Sequence, residues 1–278
     1  MPEYDTPEPL SATLEFDIGT VRVTAGKRAT TVVDVLPHKA DDELDVRTAE
    51  QTRVSCSGGS LVVKGPRNRG LFGRSGQLDI RVELPAGSRI EATSPMGDYV
   101  CEGPLDACVL RTSVGDIRVE EAGSVRLRTD SGEIDVDRVH GDAEVHGTGR
   151  VAFGAITGSG TVKNRNGGTT VGEATGPLSV NSSNGPIDVG VAHSGVEAKS
   201  ANGPIRIRAA ERGVLALQTA AGNIEVGVRE GSAAWLDVHT RVGGVHNALE
   251  TAGGPGSAEE TVELRARTGI GDIVVHRS

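Results

Sequence analysis

Asp98, Asp116 and Glu133 each stand directly after a glycine, at intervals of 18 and 17 residues. Stacked carboxylates are hard oxygen ligands of the kind a calcium ion takes. An acid after glycine is also ordinary turn chemistry, because a short carboxylate accepts hydrogen bonds from nearby backbone amides. The turn reading is preferred. A second set stands four residues before a glycine: Arg111, Arg128, Lys163, Asn181, Lys199, Gln218, His239 and Arg267. It holds five fixed positive charges and no acid. A row of cations suits a linear polyanion or an acidic protein surface. The alternative is that each stem lies over the sheet and its head pairs with a neighbouring acid, such as Glu197 or Asp237. A third set, three residues after a glycine, runs Arg118, Asp135, Asp188, Arg206 and Glu225. Its mixed signs predict surface ion pairs, worth ~0–1 kcal/mol each.

Two local features add to these. The stretch "KGPRNRGLFGRSG" (64–76) carries Lys64, Arg67, Arg69 and Arg74 around Leu71 and Phe72, with no acid. Its glycines predict a surface loop with an apolar tip that suits docking on a partner or an anionic surface, or that is simply a surface hairpin. Trp235 is the only tryptophan and falls outside the inward columns of the pattern below. It is either an exposed anchor or covered by the insertion 247–260. The seven histidines show no ligand spacing, and Cys56, Cys101 and Cys108 form no CxxC pair. No nucleophile–base motif and no phosphate-binding loop appears. The sequence therefore predicts no catalytic residues, no metal ligands and no cofactor site.

The elements that position these residues repeat. Anchored on Gly97, Gly115, Gly132, Gly149, Gly167, Gly185, Gly203, Gly222, Gly243 and Gly271, the intervals are 18, 17, 17, 18, 18, 18, 19, 21 and 28 residues. Two after the anchor come residues such as Ile117, Ile134, Ile187, Ile205 and Ile224, and four after come Val119, Val136, Val189, Ile207 and Val226. Asn247 is an odd member of the latter column. Apolar residues also recur five and seven before the anchor. The Gly149 unit is slipped by about one residue, with Ala143 and Val145 in those roles. Period-two alternation on both sides of a glycine describes two short strands and a turn. The position three before is small and polar, as in Thr112, Thr129, Asn164, Ser182 and Thr219. Copies in such a column are expected to hydrogen-bond one another, and Asn166, Asn184 and Asn202 to form a second ladder. The fold class is thus all-β, a β-solenoid of about ten coils with a repeat of about 18 residues. No helix signal is visible. Residues 1–88 read as longer strands that cap the solenoid, and residues 89–278 as the repeats. The chain stops three residues after Val275. The last coil is therefore expected to present an open edge that invites a second copy.

Composition narrows the function classes. The chain has 278 residues, with 29 Lys+Arg against 38 Asp+Glu, which disfavours broad nucleic-acid or anionic-membrane binding. Aromatics make up 2%, so the core is narrow and aliphatic. No apolar run reaches the ~18 residues of a membrane span. The acidic, proline-containing N-terminus carries no secretory pattern, and an odd cysteine count fits reduced thiols. The expected compartment is cytoplasmic.

The phrases "GDIRV", "GEIDV", "GNIEV" and "GDIVV", with "VELPAGSRIEA" before them, resemble a bacterial family of toastrack-like β-strand-repeat proteins of unknown function that carry an adhesin label. "AAWLDVHTRVGGVHN" and "VELRARTGIGDIVVHRS" resemble soluble actinobacterial members. The resemblance implies a β-solenoid-like fold, links to envelope stress and no established catalytic residues. It also implies an association with small DNA-binding regulators. The reading is a non-enzymatic scaffold that binds a macromolecule, either a protein or a linear polyanion. The alternatives are a carbohydrate-binding or carbohydrate-active solenoid, and a cytoplasmic accessory to a small DNA-binding regulator.

Overall fold

The computed structural model describes residues 3–66, 75–249 and 260–278. It is nearly all β and divides into two compact units, Met1–Arg138 and Val139–Ser278.

In the second unit each coil contributes one strand to each of two parallel sheets. Gly160–Asn166, Leu178–Asn184, Val196–Asn202 and Gly213–Ala221 pair side by side in one sheet. Thr169–Ala174, Ile187–Ala192, Ile205–Ala210 and Ile224–Val228 do so in the other. Register follows the sequence columns. Val162 lies beside Val180 and Val180 beside Ala198, while Ile187 lies beside Ile205 and Ile205 beside Ile224. The slipped unit also docks as read, with Val145 beside Val162. All of these aliphatic side chains are buried. Period-two alternation thus places one face of each strand in the core and the other in solvent.

The anchor glycines set the spacing of the coils. Gly185, Gly203 and Gly222 have φ of 129°, 147° and 153°, a region that L side chains avoid. A Cβ on Gly203 would also lie 2.2 Å from the Gly185 carbonyl oxygen. The polar column three residues earlier completes this turn in an unexpected way. Its members do not bond one another. Thr219 Oγ1 donates to Gly203 O at 3.0 Å, Asn164 Nδ2 to Gly149 O at 2.9 Å, and, in the first unit, Thr129 Oγ1 to Gly115 O at 2.9 Å. These three cap the anchor carbonyl of the adjacent coil, whereas the buried hydroxyls of Ser182 and Ser200 in the same column make no hydrogen bond among the described residues. The asparagine ladder forms as expected: Asn184 Nδ2 reaches Asn166 Oδ1 at 2.9 Å and Asn202 Nδ2 reaches Asn184 Oδ1 at 3.0 Å.

The order of the last coils differs from the expectation. Glu260–Ile270 sits between Gly213–Ala221 and Ser232–Val242, and Ile273–Arg277 sits between Ile224–Val228 and Val245–Asn247. The final stretch of chain is thus an inner coil, and the coil that precedes it in sequence forms the edge. The carbonyl caps show the same order, since Thr268 reaches Gly222 O and Thr240 reaches Gly271 O, both at 2.8 Å. The expectation of an open edge on the last coil is corrected accordingly. Asn247 also ceases to be anomalous, because at the edge its column is exposed.

In the first unit Ser11–Glu15 lies between Ser60–Lys64 and the long strand Arg89–Val114, all parallel. Ile18–Gly26 lies between Gln77–Pro85 and the same long strand. Arg53–Ser57, Thr30–Pro37 and Glu3–Asp5 add antiparallel strands outside these. The unit also holds a helix, Glu43–Gln51, which corrects the all-strand reading of this region. Asp42 caps it by accepting from Leu44 N and Asp45 N, and Glu43 and Asp45 occupy its first turn. Its buried residues are polar. Asp45 accepts from Lys39 N at 3.0 Å and Gln77 N at 2.7 Å, and Thr48 Oγ1 accepts from Gly76 N at 3.2 Å. A helix docked through polar side chains leaves no apolar stripe for a periodicity reading to find.

Gly203→Ala forces a disfavoured φ and a backbone clash together. It is expected to cost about 2–4 kcal/mol of stability in urea unfolding. Replacing Gly58, which has open space around its Cβ position, should cost less.

Candidate functional site

The outward face of the second unit's first-named sheet carries the cation column. In register it reads His146, Lys163, Asn181, Lys199, Gln218, Arg267 and His239. The coil exchange thus places Arg267 between Gln218 and His239. Neighbours stand one strand spacing apart, ~4.8 Å. Beside this row lies a shallow depression of about 400 Å³. Its floor is made of short side chains, Thr161, Ser179 and Ala216, with Glu197 among them, and Pro177 and Val214 also line it. In register the floor runs Thr161, Ser179, Glu197 and Ala216, so one acid stands among the short side chains.

The cations differ in what holds them. Lys199 pairs with Glu197, and Arg267 lies 3.4 Å from Asp237, so the ion-pair alternative holds for these two. Lys163 has no carboxylate partner among the described residues. Arg165, two residues on along the same strand, is equally exposed and equally without one. The sequence reading missed Arg165 because its column, two before the anchor, is not uniformly basic. In the first unit Arg111 lies beside Arg128 in register. Arg128 is held 3.1 Å from Asp130, whereas Arg111 has no carboxylate partner among the described residues.

The carboxylate column is consumed by turns. Asp98 Oδ1 accepts from Asp116 N at 2.9 Å, and Asp116 Oδ1 from Glu133 N at 2.8 Å. Each acid therefore fastens the next coil. The mixed-sign column forms ion pairs in part: Arg206 bonds Glu225 at 2.9 Å, but Asp188 is taken by Arg208 in a two-pronged contact at 3.0 Å. Cys101 and Cys108 are buried, and Cys108 is raised well above the ordinary thiol range by its contact with Cys101 and by burial, which keeps it protonated. Trp235 is 54% exposed, and residues 250–259 of the insertion that could cover it lie outside the described residues. Arg67, Arg69, Leu71, Phe72 and Arg74 lie outside the described residues.

One cluster was not anticipated. His193 is clamped between two acids from neighbouring coils: its Nδ1 faces the Glu211 carboxylate and its Nε2 lies 2.9 Å from Glu173 Oε1. Arg229 bonds Glu211 at 2.7 Å. The hydrogen bonds to Glu211 and then Glu173 raise the His193 pKa, and the bond to His193 lowers that of Glu211, with Arg229 adding to the effect. The signal for this cluster is the 18-residue spacing of His193 and Glu211, which puts them in one column.

A family model described as Toastrack DUF4097 matches residues 13–275. The chain belongs to this family. The solved structures that resemble the chain are distant in sequence. A putative adhesin from Bacteroides fragilis is 13% identical, with 99% of this chain and 95% of that chain covered and a TM-score of 0.38. A putative adhesin from Parabacteroides merdae is 8% identical, with 100% and 95% covered and a TM-score of 0.32. A putative lipid binding protein from Parabacteroides distasonis is 10% identical, with 100% and 95% covered and a TM-score of 0.29. No curated protein matches the chain. Among the described residues no helix is long and apolar enough to cross a membrane.

The His193 clamp has a pH signature. A histidine raised in the folded state contributes in full below its unfolded value and loses that contribution as pH rises through the folded value. Glu211, lowered in the folded state, contributes above the unfolded glutamate value and loses that contribution on the acid side. His193→Gln should therefore destabilise the chain more near about pH 6 than near about pH 9. Urea midpoints at both pH values check this. Equal losses would show that charge has no part in the clamp.

Proposed function

We propose that this Toastrack chain is a non-enzymatic scaffold that holds a linear anionic polymer along the outward sheet face of its second unit. The observation that carries the reading is the pairing of a shallow, small-residue depression with an adjoining row of donors. Lys163 and Arg165 leave their charges unmatched by any carboxylate among the described residues, and Lys199, Asn181 and Gln218 continue the row. Repetition at the strand spacing suits a polymer, because successive ligand groups meet equivalent donors. The donors are all exposed, so contacts remain hydrated and salt-screened, and affinity comes from their number. An overall acidic chain gives such a face selectivity, since polyanions are repelled elsewhere.

Heparin serves as the test polymer. Lys163→Glu combined with Arg165→Glu should weaken binding roughly tenfold, equivalent to about 1.4 kcal/mol, and the wild-type affinity should fall with added salt. Arg111→Glu, on the first unit, should have the smaller effect. Unchanged retention of the double variant on a heparin column would refute the proposal.

A further inference from the structure

Among the described residues the second unit ends on a coil paired on one side. Ser232–Val242 pairs on one side only among the described residues, with Glu260–Ile270, and Val245–Asn247 likewise pairs only with Ile273–Arg277. The apolar columns run out at this point. Leu236 and Val238 are half-buried, whereas their register mates Leu264 and Ala266 are buried. Val242 is 61% exposed and Val245 43%. Unpaired backbone groups beside open aliphatic side chains are what a sheet edge ordinarily hides.

The residues of this edge complement themselves. Gly271 N donates to Val242 O at 2.9 Å, so the even-numbered residues direct their backbone groups inward to the neighbouring strand. Those of Trp235, Asp237, His239 and Arg241 are then left at the free side. Antiparallel pairing of the strand with its own copy, centred on Val238, sets Asp237 opposite His239 of the second copy. It also sets Trp235 opposite Arg241 of the second copy. A carboxylate meets an imidazole, a guanidinium meets an indole, and Ala234 meets Val242. Centring instead on Asp237 would oppose two like charges. Self-complementarity about a single point is what a two-fold contact requires. We propose that Ser232–Val242 pairs antiparallel with the same strand of a second copy of this chain, so that each molecule covers the other's open coil.

Light scattering on the full chain over a concentration series should show the mass doubling from 28.7 kDa. Asp237→Arg should weaken the dimer roughly tenfold, and combining it with His239→Asp should restore it by exchanging the charges. In a Cys56→Ser background, Val238→Cys should form a disulfide-linked dimer on mild oxidation, because directly opposed residues bring their Cβ atoms to about 5 Å. A chain that stays monomeric at several hundred micromolar overturns the proposal. So does a dimer insensitive to Asp237→Arg, or an oxidised Val238→Cys that runs as a monomer on a denaturing gel.

Discussion

The structure depends on the contact between one anchor glycine and the next. At Gly115, Gly132, Gly167, Gly185, Gly203, Gly222, Gly243 and Gly271 the chain needs a φ that only glycine adopts freely, and it passes so close to the adjacent anchor carbonyl that a methyl group would collide with it. This close approach holds successive coils at one strand spacing. At the Gly149, Gly203 and Gly222 turns the carbonyl is capped by Asn164, Thr219 and Thr268, the residue three before the adjacent anchor. Geometry and hydrogen bonding at the turn thus reinforce each other. The aliphatic columns then fall into register on both sides without large side chains to lock them.

A fold built this way has little interior in which to assemble chemistry. Its core is two aliphatic layers, and most of its polar groups are committed to holding coils together. The acids after the anchors bind the next coil's amides, and the asparagines bind one another. What remains free lies on the outward sheet face and at the unpaired edge. The first offers spaced donors over a shallow depression, and the second offers backbone groups and exposed apolar side chains. Both suit binding to something extended, and they meet at His239, the end of the cation row on the edge strand.

The His193 clamp shows a third use of stacking. Glu173, His193, Glu211 and Arg229 come from consecutive coils. A charge from each coil is neutralised by the next, which ties the stack together at its corner. Because the tie rests on a histidine whose pKa its two acids raise, it depends on pH in a way the glycine and asparagine contacts do not.

The repeat was legible in the amino-acid order because it is a local code: a turn glycine, a strand on each side and one inward face determine the coil, its core columns and the asparagine ladder. Even the slipped unit at Val145 was readable. The cation column could be read too, since outward positions alternate with inward ones. Other features were decided only by tertiary structure. Which cations are free depended on where Glu197 and Asp237 fall in space. The helix Glu43–Gln51 was hidden because polar residues, not an apolar stripe, dock it. The exchange of the last two coils was invisible because their columns are chemically alike, so either could pair with Gly213–Ala221 by its pattern alone. The tertiary structure selected the inner place for Glu260–Arg277, whose buried residues are Val262, Leu264, Ala266, Ile273 and Val275 with Thr268 bonded to Gly222 O. It left at the edge the coil with Asn247 in its core column, where a polar side chain reaches water and needs no buried partner.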